Sequence, residues 1–104
     1  MYVTIRRYKI APGSTAELKR RVQEGFLPII SKLPGFVEYL WTSAGENEMF
    51  SVSIFTNRKG AEESVRAAAD YVRNHLTPLL PNPPEVITGE VVVHQTKSQA
   101  EKAA

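Results

Sequence analysis

Ser64, Ala68, Tyr71 and His75 recur at three- and four-residue steps, which on a helix would line up a hydroxyl, a small gap, a phenol and an imidazole along one row. Three aromatic residues stand elsewhere in extended-looking runs, Tyr39 and Trp41 two apart and Phe50 beyond them, with Arg7 in the first such run. An aromatic floor from Tyr39, Trp41 and Phe50 beneath that row would suit a flat phenolic or quinol ligand. His75, with an unperturbed pKa of ~6.5, can accept a proton there. Tyr71 can hydrogen-bond a ligand oxygen, and Arg7 can balance a phenolate or enolate. Plainer roles are open to the same residues. Tyr39 and Trp41 can be core packing, His75 can complement a helix C-terminus, and Arg7 can be a surface ion-pair partner.

Other chemistries lack their residues. There is no glycine-rich phosphate loop, no pair of helical histidines at metal-binding spacing, and no serine nucleophile elbow; His94 stands alone near the chain end. No metal and no cofactor are expected. Thirteen Lys and Arg against eleven Asp and Glu leave a net charge of +2, without the basic clustering that a nucleic-acid partner would need. The chain has no cysteine, so disulfides, thiolate metal sites and thiol nucleophiles are impossible. The first residues do not read as a signal peptide, and no apolar run approaches the ~20 residues that cross a bilayer, so a cytoplasmic, membrane-free protein is expected.

The elements that must position these groups follow in a clear order. Tyr2 to Ile10 reads as a strand ending at Ala11-Pro12-Gly13. Ser14 and Glu17 have the spacing of a capping box, and Leu18, Val22, Phe26, Ile29 and Leu33 trace one stripe of a first helix, with a kink expected near Gly25 to Pro28. Two alternating runs then flank Ala44-Gly45-Glu46-Asn47. A turn centred on Gly45-Glu46 would place Trp41 opposite Phe50, Tyr39 opposite Val52 and Val37 opposite Ile54, all facing the helices. Glu38, Leu40, Thr42, Ser51 and Ser53, with Phe36 and Phe55, would then form the other face. Asn57 suits an N-cap, and Ala61, Val65, Ala68, Val72, Leu76 and Leu79 trace a second helix. Prolines 78, 81, 83 and 84 lead to a last strand within Glu85 to Gln95. The order is βαββαβ: a ferredoxin-like α+β domain over residues 1–96, with a four-stranded antiparallel sheet, both helices on one face, and 97–104 as a flexible tail. The uncovered face is expected to pair with a second copy, giving a homodimer.

Several of these segments together resemble a known family. Ile10-Ala11-Pro12-Gly13-Ser14, Leu33-Pro34-Gly35-Phe36, the short third strand running into the Asn57-capped helix, and Leu79-Leu80-Pro81-Asn82-Pro83-Pro84-Glu85-Val86 resemble the antibiotic biosynthesis monooxygenase-like domains of the dimeric α+β barrel superfamily. The resemblance implies a pocket between sheet and helices in each subunit and, in the enzymatic members, oxidation of phenols or quinols by O₂ without metal or flavin. On that implication His75 would be the base, Arg7 the anion stabiliser and Tyr71 a hydrogen-bond donor, with Tyr39, Trp41, Phe50, Ser64 and Ala68 around the ligand. It leaves two alternatives: a non-catalytic binding or stress-response dimer, and a haem-binding relative with His75 on iron. Family members often carry Trp near the end of the third strand, where this chain has Phe55. The haem branch carries a second tryptophan, for which the region of Val65 offers no ring.

Overall fold

The computed structural model describes residues 1–98, so most of the expected tail, 99–104, lies outside the described residues. Strand β1 (Tyr2–Lys9) leads to helix α1 (Thr15–Arg21), which continues through a π-helical turn (Val22–Phe26) into α2 (Leu27–Ile30). Strands β2 (Phe36–Ser43) and β3 (Glu48–Phe55) form the hairpin. Helix α3 (Arg58–Tyr71) ends in a second π-helical turn (Val72–Leu76), and β4 (Glu85–Glu90) closes the order. The sheet is antiparallel with order β2-β3-β1-β4, the ferredoxin-like arrangement.

Local chemistry accounts for the helix ends and the irregular turns. The Asn57 side chain accepts from the Gly60 amide at 2.7 Å, as its N-cap position requires. Ser14 forms no such side-chain cap, contrary to the expected capping box. Its backbone is already helical, with φ −93° and ψ −2°, and Glu17 turns instead to Arg20 and Arg21. Those two guanidiniums, Arg20 first, hold the Glu17 carboxyl down at about 2. Pro28 has no amide proton for the carbonyl one turn back, and the chain widens just before it, Leu27 N–H reaching Val22 O. The extra residue shifts the stripe that follows, so that Ile30 is buried and Ile29 is exposed.

The hairpin register differs from the expected one by a single residue. Ser43 pairs with Met49, Trp41 with Ser51 and Tyr39 with Ser53. The connection is Gly45-Glu46-Asn47, closed by Ala44 N–H to Glu48 O at 2.9 Å, with Asn47 in the left-handed region at φ +57°. One extra loop residue turns β3 over. Ser51, Ser53 and Phe55 therefore lie beneath the helices, while Phe50, Val52 and Ile54 face the other way. A β-bulge between Phe36 and Glu38 also brings Phe36 inward, where its ring meets Phe55 edge-on at 5.8 Å. On β1 the buried set is Thr4, Arg6 and Tyr8, so Val3, Ile5 and Arg7 are on the open face.

Two connected clusters make the core. One gathers Tyr8, Ile10, Leu18, Val22, Met49, Leu76 and Leu80. The other joins Phe26, Ile30, Phe55, Ala61 and Ala68. Tyr39 and Tyr71 touch both. The open sheet face is strongly apolar: Ile5 is 38% exposed, Leu40 49% and Ile87 67%, with Val3, Phe50, Val52 and Ile54 half-buried among them.

Candidate functional site

Between the clusters the sheet is hollowed by small residues on its second-to-edge strand. Ser51 lies between Arg6 of β1 and Trp41 of β2, and Ser53 between Thr4 and Tyr39. Adjacent strands are about 4.8 Å apart, so the two long side chains flanking Ser51 rise some ~10 Å from each other over a low floor. Arg6, Tyr8, Tyr39 and Trp41 form the walls. Val22 and Phe26 of the first π turn, with Ala68, Tyr71, Val72 and Leu76 above, form the roof.

The void between walls and roof measures about 20 Å³, enough for a single oxygen-sized occupant. A wider groove of about 390 Å³ adjoins it, sharing Val22, Tyr39 and Trp41, and opens between the first helix and β2 past Thr15, Lys19 and Gln23. That volume is in the range of small-ligand sites. Aromatic rings brace the junction: Phe26 lies 5.8 Å from Tyr39 and 5.5 Å from Tyr71, and Tyr8 lies 5.8 Å from Trp41.

The electrostatics are set by Arg6, which is only 2% exposed. Neither of its terminal nitrogens has an acceptor among the described residues, and the buried Trp41 Nε1 has none either. Burial pushes the Arg6 guanidinium below its usual range, the phenols of Tyr8 and Tyr39 opposing that shift. Burial likewise pushes both phenols up, Tyr39 strongly. Near neutral pH the chamber therefore holds one cation and neutral phenols.

The structure gathers some of the residues singled out from the sequence and separates others. Tyr39, Trp41, Ala68 and Tyr71 line the small void. Tyr71 holds the roof together, its hydroxyl donating to Arg21 O at 3.1 Å; a methyl on Gly25 would collide with that hydroxyl, which explains the glycine. Ser64 is buried but does not line the chamber, its hydroxyl donating to Ala61 O at 2.6 Å. Arg7 and Phe50 were expected inside and are not. Both stand on the open face because of the strand parity described above, and Arg7 is engaged by Glu48. His75 is also outside the chamber lining. It is exposed, its ring 4.7 Å from that of Tyr71 and tilted 39° to it, while its backbone oxygen accepts from Arg21 at 2.8 Å.

Arg6 is the residue that sequence reasoning missed. The signal was present: Arg7 and Lys9 share one parity, whereas Tyr8 and Ile10 continue the parity of Arg6 into the core. Among the described residues no group of three or more His, Cys, Asp or Glu could hold a metal ion, and no helix is long and apolar enough to cross a membrane.

No family model matches the sequence, and no curated protein does. Solved structures match across most of the chain. The NE2512 protein of unknown function from Nitrosomonas europaea is 21% identical with a TM-score of 0.75, covering 91% of this chain and 92% of its own. A monooxygenase from the gene ActVA-Orf6 of Streptomyces coelicolor, in complex with the ligand nanaomycin D, is 16% identical with a TM-score of 0.68, covering 91% and 92%. A MhuD mutant with two manganese protoporphyrin IX molecules bound per active site is 19% identical with a TM-score of 0.73, covering 92% and 99%. This chain has the fold of the antibiotic biosynthesis monooxygenase-like proteins.

Proposed function

We propose that this protein is a homodimeric monooxygenase-like domain that takes a small phenol- or quinol-type aromatic ligand between sheet and helices and oxidises it with O₂, without a resident cofactor. The observation that carries this reading is the groove of about 390 Å³ ending at the Tyr39–Trp41 wall, with an oxygen-sized void behind it. A flat ring fits against the aromatic wall while one of its oxygens enters the void. With an anthrone as substrate, the two hydrogens of the ring methylene are replaced by a carbonyl oxygen. One atom of O₂ stays in the product and the other leaves as water. The chain's part is to hold the electron-rich anion dry and oriented. The ActVA-Orf6 monooxygenase, whose fold this chain shares, is in complex with nanaomycin D, which supports a small-molecule ligand. The apolar open face of the sheet supports a second copy as its cover.

The test is oxygen uptake with a panel of anthrones and quinols. Saturable uptake is expected, and Ala68→Leu, which fills the roof, should remove it while circular dichroism stays native. Ligand binding without uptake would favour the alternative, a non-catalytic binding or stress-response module. A second reading, haem binding, draws on the porphyrins of the MhuD structure. The residues present do not fit it as they stand, because His75 is exposed and outside the chamber lining. A Soret shift on haem titration that His75→Ala removes would establish it.

A further inference from the structure

We infer that Arg6 and the Trp41 indole form a receptor for the ionised oxygen of an aromatic ligand, so that the site selects acidic phenols and enols as their anions. This rests on the proposed aromatic-ligand reading and specifies its substrate class. Three observations converge. Arg6 is buried with both terminal nitrogens unpartnered, and Trp41 Nε1 is buried and unpartnered in the same chamber wall. Their strands place them on either side of Ser51, so both sets of donors rise over one low floor. The void they share has room for one oxygen atom and joins a groove with room for a ring.

The surroundings offer no competing acceptor of full charge. Around Arg6, β1 presents Tyr8, β2 presents Tyr39, β3 presents Ser51, β4 presents Val86, the first helical layer presents Val22 and Phe26, and the second presents Tyr71 and Arg73. None is a carboxylate, and Arg73 is engaged by Asp70 at 2.5 Å. A desolvated guanidinium without a counter-ion is costly, and an entering anion is what removes that cost. The chamber also lacks a base. Burial holds the Tyr8 and Tyr39 phenols neutral, the Tyr71 hydroxyl donates to Arg21 O, and His75 lies outside, so the lining presents no imidazole and no carboxylate to take a proton from the ligand. The ligand must therefore give its proton to solvent and enter as the anion, stabilised on arrival by Arg6. A phenol of low intrinsic acidity should bind poorly however well its ring fits.

The experiment titrates the full chain with para-nitrophenol, whose phenolate is coloured, and with para-nitroanisole, the same ring with its oxygen capped. The expected result is a bound phenol pKa lowered by at least one unit, which is about tenfold tighter binding of phenolate than of phenol. Arg6→Met should erase that preference while nitroanisole still binds. Arg6→Lys should keep part of it, and Trp41→Phe should weaken phenolate binding severalfold. Nitrophenol bound in its neutral form, or a preference that survives Arg6→Met, overturns the anion receptor and leaves the aromatic chamber standing. Failure of both compounds to bind overturns the receptor and the aromatic-ligand reading together.

Discussion

The two faces of the sheet are reversed relative to what burial alone would choose. Beneath the helices lie Thr4, Arg6, Ser51 and Ser53, all nearly inaccessible, whereas the face without helices carries Val3, Ile5, Leu40, Val52, Ile54 and Ile87. Apolar surface is stabilising when removed from water, and buried polar groups cost free energy unless they are partnered. A fold optimised only as a monomer would exchange these sets. The exchange has not happened. Inside, Thr4 and Ser53 are hydrogen-bonded and, among the described residues, only the buried Arg6 and Trp41 donors lack partners, which the proposed ligand would supply. Outside, the apolar set is what the proposed second copy would cover.

The outer half of that comparison carries the largest expected effect. Val52 sits between Ile5 and Leu40 in register, at the middle of the apolar face. Val52→Arg would place a charge from each subunit in the proposed interface, weakening association by about 3 kcal/mol or more, roughly a hundredfold or greater in Kd. Analytical ultracentrifugation should show a dimer becoming a monomer. An unchanged sedimentation coefficient would separate this face from self-association altogether.

The inner half yields a smaller effect of opposite sign. Arg6→Met keeps the length of the side chain and removes a buried, uncompensated cation, so the ligand-free protein should gain about 1–3 kcal/mol in stability. Urea unfolding monitored by Trp41 fluorescence measures it. A loss of stability instead would mean that the guanidinium is already well partnered, and the inner face would no longer stand out. Paired with lost phenolate selection, a gain would mark Arg6 as a residue kept for function at the expense of the fold.

How much of this could be read beforehand differs between the fold and the site. Element order was legible because its signals are local: Pro12-Gly13 and Pro34-Gly35 stop elements, Asn57 caps a helix, and Pro28 disturbs one. The site depended on parity, which a single loop residue controls. Gly45 suggested a two-residue turn, but Asn47 takes the left-handed position and lengthens the loop by one. A sheet with large apolar residues of both parities offers no correction from hydrophobicity. Val3 and Ile5 looked like core, as did Val52 and Ile54. The helix row was partly readable, Ala68 and Tyr71 reaching the chamber, but His75 follows the onset of a π-helical turn, where ordinary helical spacing no longer applies.

Two adjacent arginines reduce the comparison to its smallest form. Arg6 and Arg7 differ by one position and so by one face: the first is buried without an acceptor, and the second is exposed against Glu48. The Glu48 hydrogen bond raises the Arg7 pKa, but solvent screens exposed pairs of this kind. Arg7→Met should therefore leave the melting temperature almost where it was and preserve the preference for phenolate, while Arg6→Met changes both. Running the two variants side by side under identical conditions makes each the other's control, since both remove one positive charge from the same strand. If Arg7→Met abolished anion selection and Arg6→Met did not, β1 would have to present its odd-numbered residues to the helices, and the floor at Ser51 would lose its flanking cation.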